Sequence, residues 1–160
     1  WGTKRWPGYP ALAAALAEPI VVVGGAADAA LAAEVAAAAP ERVHVAAGQL
    51  GLRQSAALLA RAGILITNDS APLHLATAVG TRVVALFGPT VPAQGFGPRG
   101  ADDVVLGVQG LSCRPCSGHG PQVCPLVHHR CMRELSVETV LGAVAATRQA
   151  EGRRAICPGH

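Results

Sequence analysis

Aromatic side chains are scarce: two Trp, one Tyr and two Phe in 160 residues. That is too few for the stacking platforms on which single-stranded nucleic acids are held. Lysine occurs once, at position 4. Lys and Arg outnumber Asp and Glu by 13 to 10, but the excess is spread along the chain. Only Arg148, Arg153 and Arg154 approach a cluster, so a concentrated basic face is missing and no nucleic-acid partner is expected. No stretch approaches the ~18 consecutive apolar residues of a membrane span. Charged residues make up 14% of the chain against 51% hydrophobic ones, which excludes a disordered polymer. A chain of this length is about one domain. It can bury about two thirds of its unfolded surface, so it needs no metal or disulfide simply to fold.

Lys4 and Arg5 ahead of the Ala-rich run Ala11 to Ala17 loosely resemble a signal peptide. Pro7 and Pro10 interrupt that run, Glu18 and Pro19 end it, and a strand-like IVVVGG follows at once, so the signal reading is rejected. Opening on Trp1 in mid-motif, the chain is expected to be a piece of a longer one.

Short β-branched runs alternate with Ala/Leu-rich stretches at helical spacing. Ile20 to Gly25 reads as a buried strand ending in a glycine turn, and Asp28 opens a helix to about Ala38. Val43 to Ala47 and Ile64 to Thr67 are further strands, with a helix over Leu52 to Ala62 between them. A helix from Ala71 to Val79 stops at Gly80, Arg82 to Gly88 is a fourth strand, and Asp103 to Val108 a fifth. Strands without polar alternation, separated by helices, predict an α/β doubly wound domain whose parallel sheet carries helices on both faces. Residues 111–133 hold four of the five cysteines and no periodicity. A last helix from Ser136, as cap, to about Thr147 puts Val137, Val140, Leu141 and Val144 on one stripe. Residues 149–160 read as a flexible tail.

In parallel α/β sheets, ligands bind at the carboxyl ends of the strands. There Asn68-Asp69-Ser70 leads straight into a helix whose free amides suit an anion such as a diphosphate, with Asp69 or Ser70 as its cap. His74, one turn deeper on the same face, either donates to a ligand oxygen or satisfies a buried carbonyl. FGPT (Phe87 to Thr90) places Gly88 and a hydroxyl beside the same crevice, or is an ordinary Gly-Pro turn. Asp28 either holds ribose hydroxyls or is a plain helix N-terminal charge; Gly24-Gly25 is no dinucleotide fingerprint. Lys4 pairs with phosphate or is a solvated cation. Cys113, Cys116, Cys124 and Cys131 could form a tetrahedral zinc site, disulfides or reduced structural thiols, with His119, His128 and His129 as competing ligands. Nothing pairs a cysteine with a base, so a catalytic cysteine is not expected.

Taken together, WGTKRWP, VVVGGAAD, VHVAAGQLGL, NDSAPLHLATAVG, FGPT and the CRPC…CP…CM segment resemble the C-terminal half of the family 9 glycosyltransferases, the ADP-heptose:lipopolysaccharide heptosyltransferases. The resemblance covers residues 1–148. It implies a Rossmann-like domain forming one half of a GT-B enzyme, with the N-terminal acceptor domain absent. Such an enzyme moves heptose from ADP-heptose to the lipopolysaccharide inner core with inversion and no metal cofactor. By that resemblance Thr3 and Lys4 contact the donor phosphates, Asp28 the ribose and Leu50 the adenine. Ser70, Ala71, Pro72 and His74 line the diphosphate and sugar, and Asp69 anchors the turn. The family usually has Gly where this chain has Ala71, and a Cβ there narrows the phosphate's approach. No residue of this half matches the family's catalytic aspartate, so no catalytic residue is expected here and the isolated chain is expected to be inactive. The resemblance also implies a cytoplasmic enzyme working at the inner face of the bacterial inner membrane, touching that membrane peripherally in its full-length form. A stand-alone nucleotide-binding module is the rival reading, and a Cys-rich metal-binding or redox domain is a third.

Overall fold

The computed structural model describes residues 2–156, and the side chains through Gln149. Trp1 and Cys157 lie outside the described residues. Strand and helix alternate as the pattern predicts: β1 (Ile20–Val22), α2 (Ala29–Ala38), β2 (Val43–Val45), α3 (Leu52–Leu59), β3 (Leu65–Asn68), α4 (Ala71–Val79), β4 (Val83–Leu86) and β5 (Val104–Leu106). Ahead of them lies α1 (Tyr9–Ala15), and after them α5 (Arg130–Arg133) and α6 (Val137–Ile156). Every strand pair is parallel. The pairs form two ladders, β1–β2 and β3–β4–β5, where the sequence pattern suggests one sheet. Pro19 and the Gly24-Gly25 turn leave β1 only three residues, and its ladder is with β2 alone.

The centre of the larger ladder is β4, buried at all four positions. Its alternate side chains serve two cores. Val84 and Leu86 join Trp6, Leu12, Met132, Leu135, Val140 and Val144 on one face. Val83 and Ala85, with Phe87 just beyond the strand, pack against Leu59, Leu65, Leu73 and Ala76 on the other. Helices therefore cover both faces, as an apolar strand with no polar alternation requires. A smaller cluster of Ala13, Ala39 and Val43, with Ile20, Val22 and Val35 against it, closes β1 and β2 under α1 and α2.

Three local expectations change. The Ala-rich run after Tyr9 is a helix, and Pro10 opens it rather than breaking it. Proline in a first helical turn removes an N–H that has no partner there anyway. The final helix continues past Thr147 through the segment read as a tail, to Ile156; Ser136 does cap it, its Oγ accepting from Thr139 N at 3.2 Å. The cysteine segment contains the short α5, whose single turn is too brief to show periodicity. Gly80 ends α4 as expected, in a left-handed conformation at φ 78° that favours glycine. Among the described residues no helix is long and apolar enough to cross a membrane.

Candidate functional site

The first residues of the chain form a short 3₁₀ turn, Gly2–Lys4, laid across the carboxyl ends of the strands. Trp6 fixes that turn from behind. Its backbone N donates to Asn68 Oδ1 at 3.3 Å and its indole Nε1 to the Leu135 carbonyl at 2.9 Å. Its ring meets Tyr9 edge-on at 5.2 Å. Gly8 lies so close under the indole that a Cβ there would come within 2.2 Å of it. Tyr9 is held by the Asn68 backbone, and burial keeps its phenol well above the ordinary tyrosine pKa.

Held this way, successive cations reach two strand ends. Lys4 Nζ lies 2.6 Å from Asp69 Oδ2, with Lys4 14% and Asp69 4% exposed. Thr90 Oγ1, fully buried, donates to the same Asp69 oxygen at 2.7 Å. Lys4 is thus a fixed, paired cation and not a solvated one. Arg5 reaches the other ladder, 3.3 Å from Asp28 Oδ1, in an exposed pair. Thr3, also buried, donates its hydroxyl to the Pro121 carbonyl.

The mouth of α4 differs in detail from the expectation. Ser70 occupies the cap position, but neither it nor Asp69 caps the helix. Ser70 Oγ donates instead to the Asn68 carbonyl at 3.2 Å and lies 3.2 Å from Thr67 Oγ1, while the Asp69 carboxylate is taken by Lys4 and Thr90. The cap is missing because both side chains turn back toward the strand. Pro72 in the first turn brings no N–H, so the helix mouth keeps unclaimed amide character at Ala71. Ala71 and His74 are exposed, and Pro72 is half-buried. The imidazole of His74 bonds to nothing among the described residues, so it satisfies no buried carbonyl.

At the β1 end, Asp28 accepts from Gly25 N at 3.0 Å, closing the Ala26–Asp28 turn before α2. Gly48, at φ 75°, brings the β2 end against it, its N donating to the Gly24 carbonyl at 2.9 Å. A Cβ on Gly48 would stand 3.0 Å from Ala26 Cα. Leu50 follows on this loop, half-buried. The structure thus joins Lys4 and Asp69 in one bonded cluster with Thr90 and ties Asp28 to it through Arg5, while Thr3 bonds separately to the Pro121 carbonyl. Leu50, Ala71, Pro72 and His74 have no side-chain hydrogen bond to that cluster.

FGPT does not open onto a crevice through Gly88. That residue is buried under the cysteine segment, where a Cβ would meet Met132 Sδ at 2.4 Å. Sequence reasoning missed Arg114, because the spacing of Cys113 and Cys116 drew attention away from the arginine between them. Its guanidinium donates to the Phe87 and Thr90 carbonyls at 3.0 and 3.1 Å, and to that of Val108. Cys116 N adds a bond to the Pro89 carbonyl at 2.8 Å.

Cys113, Cys116, Cys124 and Cys131 are all free thiols. They lie near enough to influence one another. Burial first, then the neighbouring thiols, raise the pKa of Cys116 and of Cys131. Among the described residues no three His, Cys, Asp or Glu are grouped so as to hold a metal ion, so the zinc arrangement raised by the spacing has no ligand set here. His119 instead lies tilted against Phe96 with ring centroids 5.5 Å apart, and His128 Nδ1 accepts from Arg130 N at 3.1 Å.

With that geometry in hand, the comparison with known families is decisive. The glycosyltransferase family 9 (heptosyltransferase) model matches residues 1–125. The chain belongs to glycosyltransferase family 9. It is 40% identical over 78 residues to lipooligosaccharide heptosyltransferase 2 of Campylobacter jejuni, a match spanning 49% of this chain and 23% of that protein. The Haemophilus influenzae protein of the same name is 35% identical over 100 residues, 56% of this chain and 28% of its own length. The solved Escherichia coli ADP-heptose lps heptosyltransferase II superposes with a TM-score of 0.77 at 27% identity, covering 94% of this chain and 44% of that one. A family 9 glycosyl transferase from Veillonella parvula gives 0.74 at 28%, covering 92% and 42%. The chain therefore spans less than half the length of these relatives, and its fold is the α/β fold of a GT-B-like glycosyltransferase.

Proposed function

We propose that this chain is the donor-binding half of a GT-B heptosyltransferase, holding ADP-heptose for inverting transfer to the lipopolysaccharide inner core without a metal cofactor. The observation that carries the reading is the preset Lys4 ammonium at the carboxyl end of β3, beside the mouth of α4. Its charge suits a diphosphate, and the amide of Ala71 and the hydroxyl of Ser70 add donors. Thr3, tied to the Pro121 carbonyl through its hydroxyl, stands beside Lys4 as a second contact for the donor phosphates. Asp69 anchors the ammonium, Pro72 leaves the first helical turn open, and His74 is free to donate to a phosphate or sugar oxygen. Asp28 stands ready for ribose hydroxyls at the β1 end, with Leu50 against the adenine.

Inverting transfer needs a base to deprotonate the acceptor hydroxyl, and no acidic residue of these 160 matches the family's base. We assign acceptor recognition and the base to sequence outside these residues, so this chain alone does not turn over donor. The setting this implies is the cytoplasm, at the inner face of the inner membrane, with peripheral membrane contact by the full-length enzyme.

The test is binding. A ligand that binds only the folded state stabilises it by mass action, so ADP or ADP-heptose should raise the melting temperature in a concentration-dependent way. A folded sample whose melting temperature ignores millimolar ADP would overturn the nucleotide-sugar reading.

A further inference from the structure

We infer that Thr90 and Arg114 are positioning residues for the Lys4 ammonium, so that the cysteine-rich segment is a working part of the donor site. The inference rests on the donor reading above and adds how the phosphate-binding cation is set.

One carboxylate oxygen, Asp69 Oδ2, accepts from both Lys4 Nζ at 2.6 Å and Thr90 Oγ1 at 2.7 Å. The Thr90 hydroxyl has no exposure and cannot be replaced by water without opening the core. By sharing the oxygen it keeps Lys4 tethered while leaving Asp69 less free to draw the ammonium inward. An ammonium carries three donors, and the tether uses one, so the others remain for ligand oxygens. Immobilising a long side chain before the ligand arrives removes an ordering cost that binding would otherwise carry.

Thr90 is in turn held by Arg114, which binds the Thr90 carbonyl at 3.1 Å and the Phe87 carbonyl at 3.0 Å. Among the described residues no carboxylate pairs with this guanidinium, and its Nε is buried without a partner. A half-buried cation with an unmet N–H is a poor device for stability alone, but it fixes two carbonyls of the FGPT loop at once. The same segment touches Lys4 directly. Gly120, at φ 79°, lies where a Cβ would stand 3.1 Å from Lys4 Cε and 3.3 Å from Pro89 Cγ, and the next residue, Pro121, receives the Thr3 hydroxyl. The ammonium is thereby tethered at its tip by Asp69 and fenced along its stem by Gly120 of the cysteine-rich segment.

The test is a double-mutant cycle read by ADP affinity, with folding checked on the same samples. Thr90→Val should weaken ADP binding roughly tenfold, and Thr90→Ser, which keeps the hydroxyl, should bind as the parent does. Lys4→Met should weaken binding on its own, and adding Thr90→Val to it should cost nothing more, because the threonine acts through the lysine. Should Thr90→Val fail to fold, Arg114→Lys supplies the same cycle against Lys4→Met. Losses that multiply in the double variant, or a Thr90→Val protein that binds ADP normally, overturn the positioning role and leave the donor reading standing. A parent chain that binds no ADP overturns the donor reading and this inference with it.

Discussion

At the scale of single residues, His74 is the side chain that best separates ligand contact from structural service. It is exposed and unbonded among the described residues, so truncation removes no internal interaction. A charge-assisted hydrogen bond is worth about 1.5–3 kcal/mol, which makes His74→Ala roughly tenfold or more weaker for the ADP-sugar. Its melting temperature should stay at the parent's value. The opposite pattern, early melting with intact affinity, would remove His74 from the donor site. Asp69, Ser70 and His74 could be singled out in the sequence because strand ends and helix starts attract ligands whatever the side chains do, whereas Lys4, ahead of the first strand, stood out only through the family resemblance. Their partners could not be. Nothing in NDS indicates that the aspartate turns back to a lysine 65 positions earlier, leaving the helix without its cap.

At the scale of elements, the apolar strands and Ala-rich helices were legible because burial on both faces writes itself as uninterrupted hydrophobic runs. Failures cluster where the signal is short or ambiguous: α1 behind its proline, the single turn of α5, and the length of α6. The cysteine segment was legible as a unit but not as a partner, since contacts such as Gly88 under Met132 join residues far apart in sequence. Its thiols give a pH prediction. Cys116 and Cys131 have folded-state pKa values raised above the ordinary cysteine value, chiefly by burial. As pH rises the unfolded chain therefore loses those protons first. The stability they contribute is complete below the ordinary value and is lost as pH climbs through the raised folded values. Under reducing conditions the melting temperature should fall over that alkaline window, and a Cys116→Ser/Cys131→Ala variant should show a shallower fall. Equal slopes for the two proteins would mean that these thiols are not the groups titrating.

At the scale of the whole molecule, two separate ladders have to present one site, and the opening turn spans them. Lys4 reaches the end of β3 and Arg5 reaches Asp28 beside β1, so the geometry of the site depends on whatever holds residues 2–6. That is Trp6. At 3% exposed, it packs in the core with Leu12 of α1, Leu86 of β4, Met132 of α5 and Val140 of α6, and bonds to both Asn68 and Leu135. Removing a buried tryptophan side chain costs about 3–5 kcal/mol. For a domain of this size that is a fall in melting temperature of about 6–20 °C. Trp6→Phe keeps most of the apolar contact and loses the indole bond to the Leu135 carbonyl, so its fall should be clearly smaller. Because Trp6 stands two residues from Lys4, Trp6→Ala should also weaken ADP binding at temperatures where it is still folded, and by more than Trp6→Phe does. If Trp6→Ala melts within a degree or two of the parent (well under the cost of one buried aromatic), the opening turn is anchored elsewhere and its hold on the two ladders must be sought in other contacts.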